Sequence, residues 1–233
     1  MKHVPNFITC LNLFAGCLAC VSALNGNYLA AAIFIYMAAV FDFLDGMAAR
    51  VLHAYSDIGK QLDSLADVVS FGVAPGLMMY SLLSVYSPFP QSNIALLAFL
   101  IPIFAALRLA KFNVDMRQSE SFLGLAVPAC AIFFASFIMN FQPTVPLSIL
   151  STVFLLSLVA VSCFLMVSEI PMFSLKFKNL NWRDNQLRFV FLILSVVLLG
   201  IFQLKAIHLI IVLYIVLSIG KVIFLRTKIY ANS

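Results

Sequence analysis

Runs of about 20 mostly apolar residues dominate this sequence, and a run of that length spans a bilayer's hydrocarbon core when helical. Eight such segments stand out, over residues 7–24, 28–50, 63–86, 93–112, 122–141, 147–167, 187–204 and 206–226. The breaks carry turn chemistry: Asn25-Gly26-Asn27, Ser87-Pro88-Phe89-Pro90, and Gln142-Pro143 with Pro146. In lipid every backbone polar group needs an internal partner, so segments of this kind cross as helices. The expected fold is an all-α membrane protein, a bundle of about eight transmembrane helices in one domain over residues 1–233.

Composition supports this expectation. Hydrophobic residues make up 64% of the chain and charged residues 10%, against roughly half and a quarter in soluble domains. The start, MKHVPNF, lacks the basic region, apolar run and small-residue site of a cleavable leader, so the first segment is expected to remain a membrane helix. Cys10, Cys17, Cys20, Cys130 and Cys163 all lie in apolar segments. The Cys17/Cys20 pair has C-x-x-C spacing without a second pair or a histidine, which fits packing rather than metal binding. The net charge of +5 comes from residues scattered between apolar segments, not from a continuous stripe. Nucleic acid is therefore not an expected partner, whereas anionic membrane lipids are.

Orientation follows from the distribution of Lys and Arg. With eight spans and the N-terminus inside, the outer connections fall near residues 25–27, 87–92, 142–146 and 203–206. Of the 14 Lys and Arg residues only Lys205 falls there, which leaves 13 at the opposite ends of the spans. Both termini are expected on the cytoplasmic side of the cell (inner) membrane. All nine Asp and Glu residues fall on that same side, so the polar chemistry gathers on one face.

The chemically informative stretch is DFLDGMAARVLHAYSDIGKQLDSLAD, residues 42–67. Asp42 and Asp45 are three apart and share a helix face, and Asp63 and Asp67, four apart, share a face of the next helix. The link between them is short, which makes the two helices antiparallel neighbours and lets four carboxylates converge near one interface. Carboxylates within apolar helices are costly and usually functional. Clustered carboxylates repel one another, a conflict that divalent cations remove, and all-oxygen ligation suits Mg²⁺, Mn²⁺ or Ca²⁺. A transfer reaction at phosphorus favours Mg²⁺ or Mn²⁺, with two ions able to clamp a pyrophosphate. Gly46 permits close approach of a ligand, and Arg50 offers a forked contact to phosphate. Asp57 and Lys60 read as ordinary interfacial charges, with Asp57 in the connecting loop and Gly59 just before the third helix.

Residues 42–67 resemble the CDP-alcohol phosphotransferase signature D-x-x-D-G-x-x-A-R-x(8)-G-x-x-x-D-x-x-x-D. The matching residues are Asp42, Asp45, Gly46, Ala49, Arg50, Gly59, Asp63 and Asp67. The resemblance implies a membrane-embedded site open to the cytoplasm, two metal ions, cleavage of a CDP-linked lipid with release of CMP, and often a homodimer. It also implies roles. Asp42, Asp45, Asp63 and Asp67 are the metal ligands, and Asp67 is the general base. Asn6, Thr9, Asp42, Gly46, Ala49, Arg50 and Asp63 hold CDP.

Flanking segments resemble the branch of that family that uses L-serine. They are Pro5-Asn6 with Thr9, Asn12 and Leu13, the stretch from Ser64 to Pro75, and Arg108 to Asn113 followed by Phe122, Gly124 and Leu125. The branch commonly has proline where Ala126 stands, and often arginine where Met47 stands. The likeness is close over about residues 4–130; the helices from about 147 match it only in apolar character. It implies transfer of the phosphatidyl group of CDP-diacylglycerol to L-serine, giving phosphatidylserine. Arg108 and Lys111 are candidates to hold the serine carboxylate, with Asn113 and Glu120 adding polar contacts; positive-inside anchoring is the competing account of both cations.

The neighbouring possibility is the same chemistry with glycerol 3-phosphate or an inositol phosphate. Many glycerophosphate-using relatives carry arginine where Asn12 stands, which favours serine. His3, His53 and His208 begin no H-x-K motif, so the histidine-nucleophile chemistry of an unrelated synthase type has no support. A cation transporter would carry its aspartates along a path at midplane depth, whereas here they collect at one interface.

Overall fold

The computed structural model describes residues 3–86, 88, 93–114, 122–141, 148–174 and 181–231, without the side chains of 122, 183–184 and 225–231. Glu120, one of the expected acceptor contacts, lies outside the described residues.

Helix α1 (Val4–Leu24) begins with Pro5 in its first turn, where a missing N–H costs nothing. The Asn25-Gly26-Asn27 turn ends it, with Gly26 at φ 71°, and the Asn27 side chain caps α2 (Tyr28–Val51) by accepting from Ala30 N–H at 3.1 Å. The two helices pack along small residues, Ala15, Ala19 and Ala23 on α1 and Ala31, Ala32 and Ala38 on α2, all buried. Without a hydrophobic force between helices in lipid, such narrow faces allow the close backbone approach that association needs.

After α2 the chain reverses through His53, at φ 47°, and Ser56 caps α3 (Asp57–Asp67) by accepting from Gly59 N–H at 3.0 Å. This corrects the sequence expectation. Asp57 is the first residue of the helix rather than a loop residue, and Gly59 sits inside its first turn. The serine cap starts the helix well before the hydropathy rises. A π-helical stretch over Val68–Val73 joins α3 to α4 (Ala74–Tyr86), and the three make one continuous 30-residue helix. This rod is the bundle's central element, with Phe71, Met78, Met79 and Leu82 fully buried.

A 3₁₀ stretch, Asn93–Phe99, leads into α5 (Leu100–Val114). The fifth apolar segment does not begin as a helix at 122. Phe122–Leu123 is a short strand, β1, and α6 covers only Val127–Asn140. Helix α7 (Ile149–Val167) follows, capped by Ser148. Strand β2 (Pro171–Met172) then pairs antiparallel with β1, Leu123 opposite Pro171. Gly124 lies at φ 72°, and a Cβ there would meet the carbonyl oxygens of Ser168, Met166 and Leu165 at 2.7–2.9 Å. Only glycine lets the chain before α6 lie against the end of α7. Helices α8 (Trp182–Phe202) and α9 (Ile207–Ala231) complete the chain.

Among the described residues, six helical stretches are long and apolar enough to cross a membrane, the last of them Asn185–Phe224. That stretch breaks at Gln203, φ 54°. Phe191 and Tyr214 are 23 residues apart along the chain (214 − 191), which in one straight helix means about 35 Å. Their ring centroids are 6.0 Å apart, so α8 and α9 fold back as a hairpin. With α6, short but almost wholly enclosed by its neighbours, the eight apolar segments of the sequence each have a helical counterpart. The chain is an all-α multi-pass membrane protein apart, among the described residues, from one two-residue strand pair.

Candidate active site

Helices α2 and α3 follow one another across the turn at 52–56, and both pack on α1. Carboxylate oxygens of Asp42, Asp63 and Asp67 lie within 4.8 Å of one another. Asp67 is buried, and Asp42 and Asp63 are half-buried. The helical spacing of the sequence thus does its expected work, but on three of the four aspartates. Asp45, also buried, lies outside that trio and is held by α1: the Thr9 hydroxyl stands 2.7 Å from Asp45 Oδ2 and 3.0 Å from the Pro5 carbonyl. Its single hydrogen goes to the carboxylate, the closer and charged acceptor.

The trio fits a hard divalent cation. Asp63 Oδ1 is buried and has no hydrogen-bond partner, and the Lys111–Glu169 ion pair lies elsewhere. Three carboxylates at such spacing, with an orphaned buried oxygen, are an unstable arrangement without a positive charge between them. Oxygen-only donors are what Mg²⁺, Mn²⁺ and Ca²⁺ take. The residues that would hold an ion are Asp42, Asp63 and Asp67, with Asp45 next to them.

A cavity of about 860 Å³ opens beside this cluster. Its walls include Asn6 and Thr9 from α1, Asp45, Gly46, Ala49 and Arg50 from α2, and Asp63 from α3. Every residue expected to hold CDP, except Asp42, therefore faces one space. The signature glycines serve it differently. A Cβ at Gly59 would press on Asn6 Oδ1 and Ser56 Oγ, both at 2.9 Å, so a side chain there would displace the Asn6 amide and the Ser56 cap. At Gly46 a Cβ would meet nothing nearer than an Arg50 nitrogen at 4.0 Å; the helix does not need glycine there, and the bare backbone widens the cavity wall. Arg50 Nε donates back to the Gly46 carbonyl at 2.9 Å, which holds the guanidinium at the cavity rim. Lys60 also lines the cavity, so it is more than the interfacial charge expected of it, and Tyr55 and Phe112 border the same space.

The expected acceptor residues do not form one group. Arg108 is buried, donates to the Leu123 carbonyl at 2.8 Å and lies over the Phe112 ring. It is one of the ties between α5 and the β1 strand. Lys111 pairs with Glu169 at 3.2 Å on the surface. Neither lines the cavity. Asn113 does reach toward the site: its Nδ2 donates to Ser64 Oγ at 2.8 Å, and its carbonyl accepts from Lys60 Nζ at 3.2 Å.

One contact was not anticipated from the sequence. Asn12 Nδ2 donates to Asp67 Oδ1 at 3.1 Å, both residues being buried. The signal was present in the spacing of Pro5, Thr9, Asn12 and Gly16, at intervals of four, three and four, which lays non-aliphatic residues along one face of an otherwise apolar helix.

Comparison with known proteins accords with this geometry. Residues 2–175 match the CDP-alcohol phosphatidyltransferase family model. The chain is 38% identical over 143 residues to the CDP-diacylglycerol–serine O-phosphatidyltransferase of Bacillus subtilis, covering 61% of this chain and 79% of the relative. It is 31% identical over 230 residues to the protein of that name from Helicobacter pylori, covering 98% of this chain and 94% of the relative. The latter match carries the similarity through the last hundred residues, which the sequence reading left with apolar character alone. An archaetidylserine synthase of Methanothermobacter thermautotrophicus is 37% identical over 142 residues, covering 59% of this chain and 58% of the relative. The chain belongs to the CDP-alcohol phosphatidyltransferase family.

Proposed function

We propose that this protein transfers the phosphatidyl group of CDP-diacylglycerol to the hydroxyl of L-serine, forming phosphatidylserine and CMP. The observation that carries this reading is the placement of the Asp42–Asp63–Asp67 cluster against a cavity lined by Gly46, Ala49 and Arg50. The choice of serine draws on the relatives just described, two of which are named for that acceptor. It also draws on Asn12, at the position where many glycerophosphate-using relatives carry arginine.

In this mechanism the CDP moiety occupies the cavity. Arg50 at its rim meets phosphate, and the open backbone at Gly46 allows close approach. Asp42, Asp45, Asp63 and Asp67 would hold divalent metal, two Mg²⁺ or Mn²⁺ ions in this reading, which would supply positive charge to neutralise the pyrophosphate. Asp67 accepts the proton of the serine hydroxyl, within hydrogen-bond reach of it. The serine oxygen bonds to the lipid-linked phosphorus, the bond from that phosphorus to the CMP oxygen breaks, and CMP leaves with the electron pair. No Ser–His or Cys–His pair faces the cavity among the described residues, in keeping with direct attack. The site faces the cytoplasm of a cell-membrane protein with both termini inside, on the basic-residue asymmetry, and the active form is a homodimer, as the family resemblance implies.

The test is an assay of purified protein with CDP-diacylglycerol and a panel of L-serine, glycerol 3-phosphate and inositol phosphate. Phosphatidylserine and CMP should appear in equal amounts with serine. Faster CMP release with another acceptor would reassign the substrate, and no CMP release with any would reject the chemistry.

A further inference from the structure

Asn12 sits fully buried in α1, 30 residues before the first signature residue, Asp42, yet it touches the last aspartate of the signature. A carboxylate offers only acceptors, so the Asn12 amide must turn its NH₂ toward Asp67 Oδ1, 3.1 Å away. That orientation leaves the amide oxygen, Asn12 Oδ1, buried and with no hydrogen-bond partner. Packing alone does not account for such a residue: an apolar side chain of similar size would bury no unmet acceptor.

The main chain at the same position is also pinned. Ser70 Oγ donates to the Asn12 carbonyl at 3.0 Å, and Ser70 is fully buried. In a helix the carbonyl of residue 12 already accepts from residue 16, and the side chain at 16 normally shields it. Residue 16 is glycine, and a Cβ there would stand 2.3 Å from Ser70 Oγ and 2.8 Å from Ser70 Cα. Gly16 therefore admits Ser70 to the Asn12 carbonyl. Ser70 lies three residues after Asp67, in the π-helical stretch that begins at Val68. Asn12 is thus gripped at its carbonyl by Ser70 while its amide grips Asp67, and both partners come from the same segment of the central rod.

We propose that Asn12 is a positioning residue for phosphatidyl transfer: it holds one oxygen of Asp67 so that the other is presented to the acceptor hydroxyl, and the Gly16–Ser70 contact holds Asn12. Asn12 lies outside the cavity wall and acts through Asp67 alone. This inference rests on the reading of Asp67 as the base.

The test compares wild type with Asn12→Asp, which keeps the shape and removes the donor, with Asn12→Ala, and with Ser70→Ala. CDP-diacylglycerol affinity is read by calorimetry, thermal stability by unfolding in the same detergent, and kcat and KM for serine by CMP release. Loss of a partner that orients a reacting group typically costs about 10–100-fold in activity. The expected result is a kcat reduced by that factor in both Asn12 variants, a smaller reduction in Ser70→Ala, and CDP-diacylglycerol affinity within about threefold of wild type. Wild-type kcat in either folded Asn12 variant overturns the proposal. So does a loss shared equally between kcat, nucleotide affinity and thermal stability, which marks a structural role. If both Asn12 variants fail to fold, Ser70→Ala decides, with unchanged kcat counting against the proposal. Failure of the functional reading shows separately, as absence of phosphatidylserine from the wild-type protein itself.

Discussion

Thr9 on α1 and Asp45 on α2 share a buried hydrogen bond of 2.7 Å, between residues that are 3% and 6% exposed. The first helix is thereby part of the site rather than a membrane anchor beside it. It supplies one neutral donor to Asp45 through Thr9 and another to Asp67 through Asn12, so two of the four signature aspartates are oriented by the same helix face.

Replacing Thr9 by Val keeps the β-branched shape and removes that donor. A hydrogen bond to a charged group contributes about 1.5–3 kcal/mol, so CDP-diacylglycerol affinity should fall roughly tenfold or more. Titration calorimetry in detergent measures this, and an affinity equal to wild type would mean that Asp45 is held without Thr9.

Asp67→Asn and Asp42→Asn should separate the base from a pure ligand. Asn at 67 keeps size and one acceptor oxygen but takes no proton. CDP-diacylglycerol should still bind, weakened at most about tenfold, while single-turnover CMP release falls by roughly 10²–10⁴. Asp42→Asn should weaken nucleotide binding instead. Near-wild-type turnover with serine in Asp67→Asn would remove that residue as base.

Chelation should abolish turnover, and Mg²⁺ or Mn²⁺ should restore it. The motive is the carboxylate trio with its orphaned Asp63 oxygen. Full activity in chelator-treated, metal-free protein would contradict the site as described.

Orientation can be read by labelling. In a background lacking the five native cysteines, a cysteine at exposed Asn25 should react with an impermeant reagent added outside intact cells. One at Val114, 80% exposed at the far end of α5, should react only after permeabilisation. The reverse pattern would place the site on the outer face.

Much of the architecture was legible in the linear chain, because the signals involved are local. Apolar runs of spanning length specify helices wherever water is absent, and aspartates three and four apart share a face whatever surrounds them. The eight segments and the meeting of Asp42, Asp63 and Asp67 followed from those two rules. Capping was equally local but easily overlooked: Ser56 starts α3 at Asp57, within a stretch too polar for hydropathy to mark.

What the chain alone left open depends on contacts between segments distant in sequence. Spacing placed Asp45 with Asp42, yet Asp45 is drawn to Thr9, 36 residues away. The sequence marks Arg108 only as a cation near a helix end; the β1–β2 pairing brings the Leu123 carbonyl within its reach. Asn12 could be recognised as a partner of Asp67 only once the contact of Gly16 with Ser70 had set the register of α1 against the central rod. Periodicity determines which face of a helix a residue occupies; the depth and rotation at which two helices meet are decided by where small side chains and a π-helical turn let their backbones touch, and that is a property of the packed bundle.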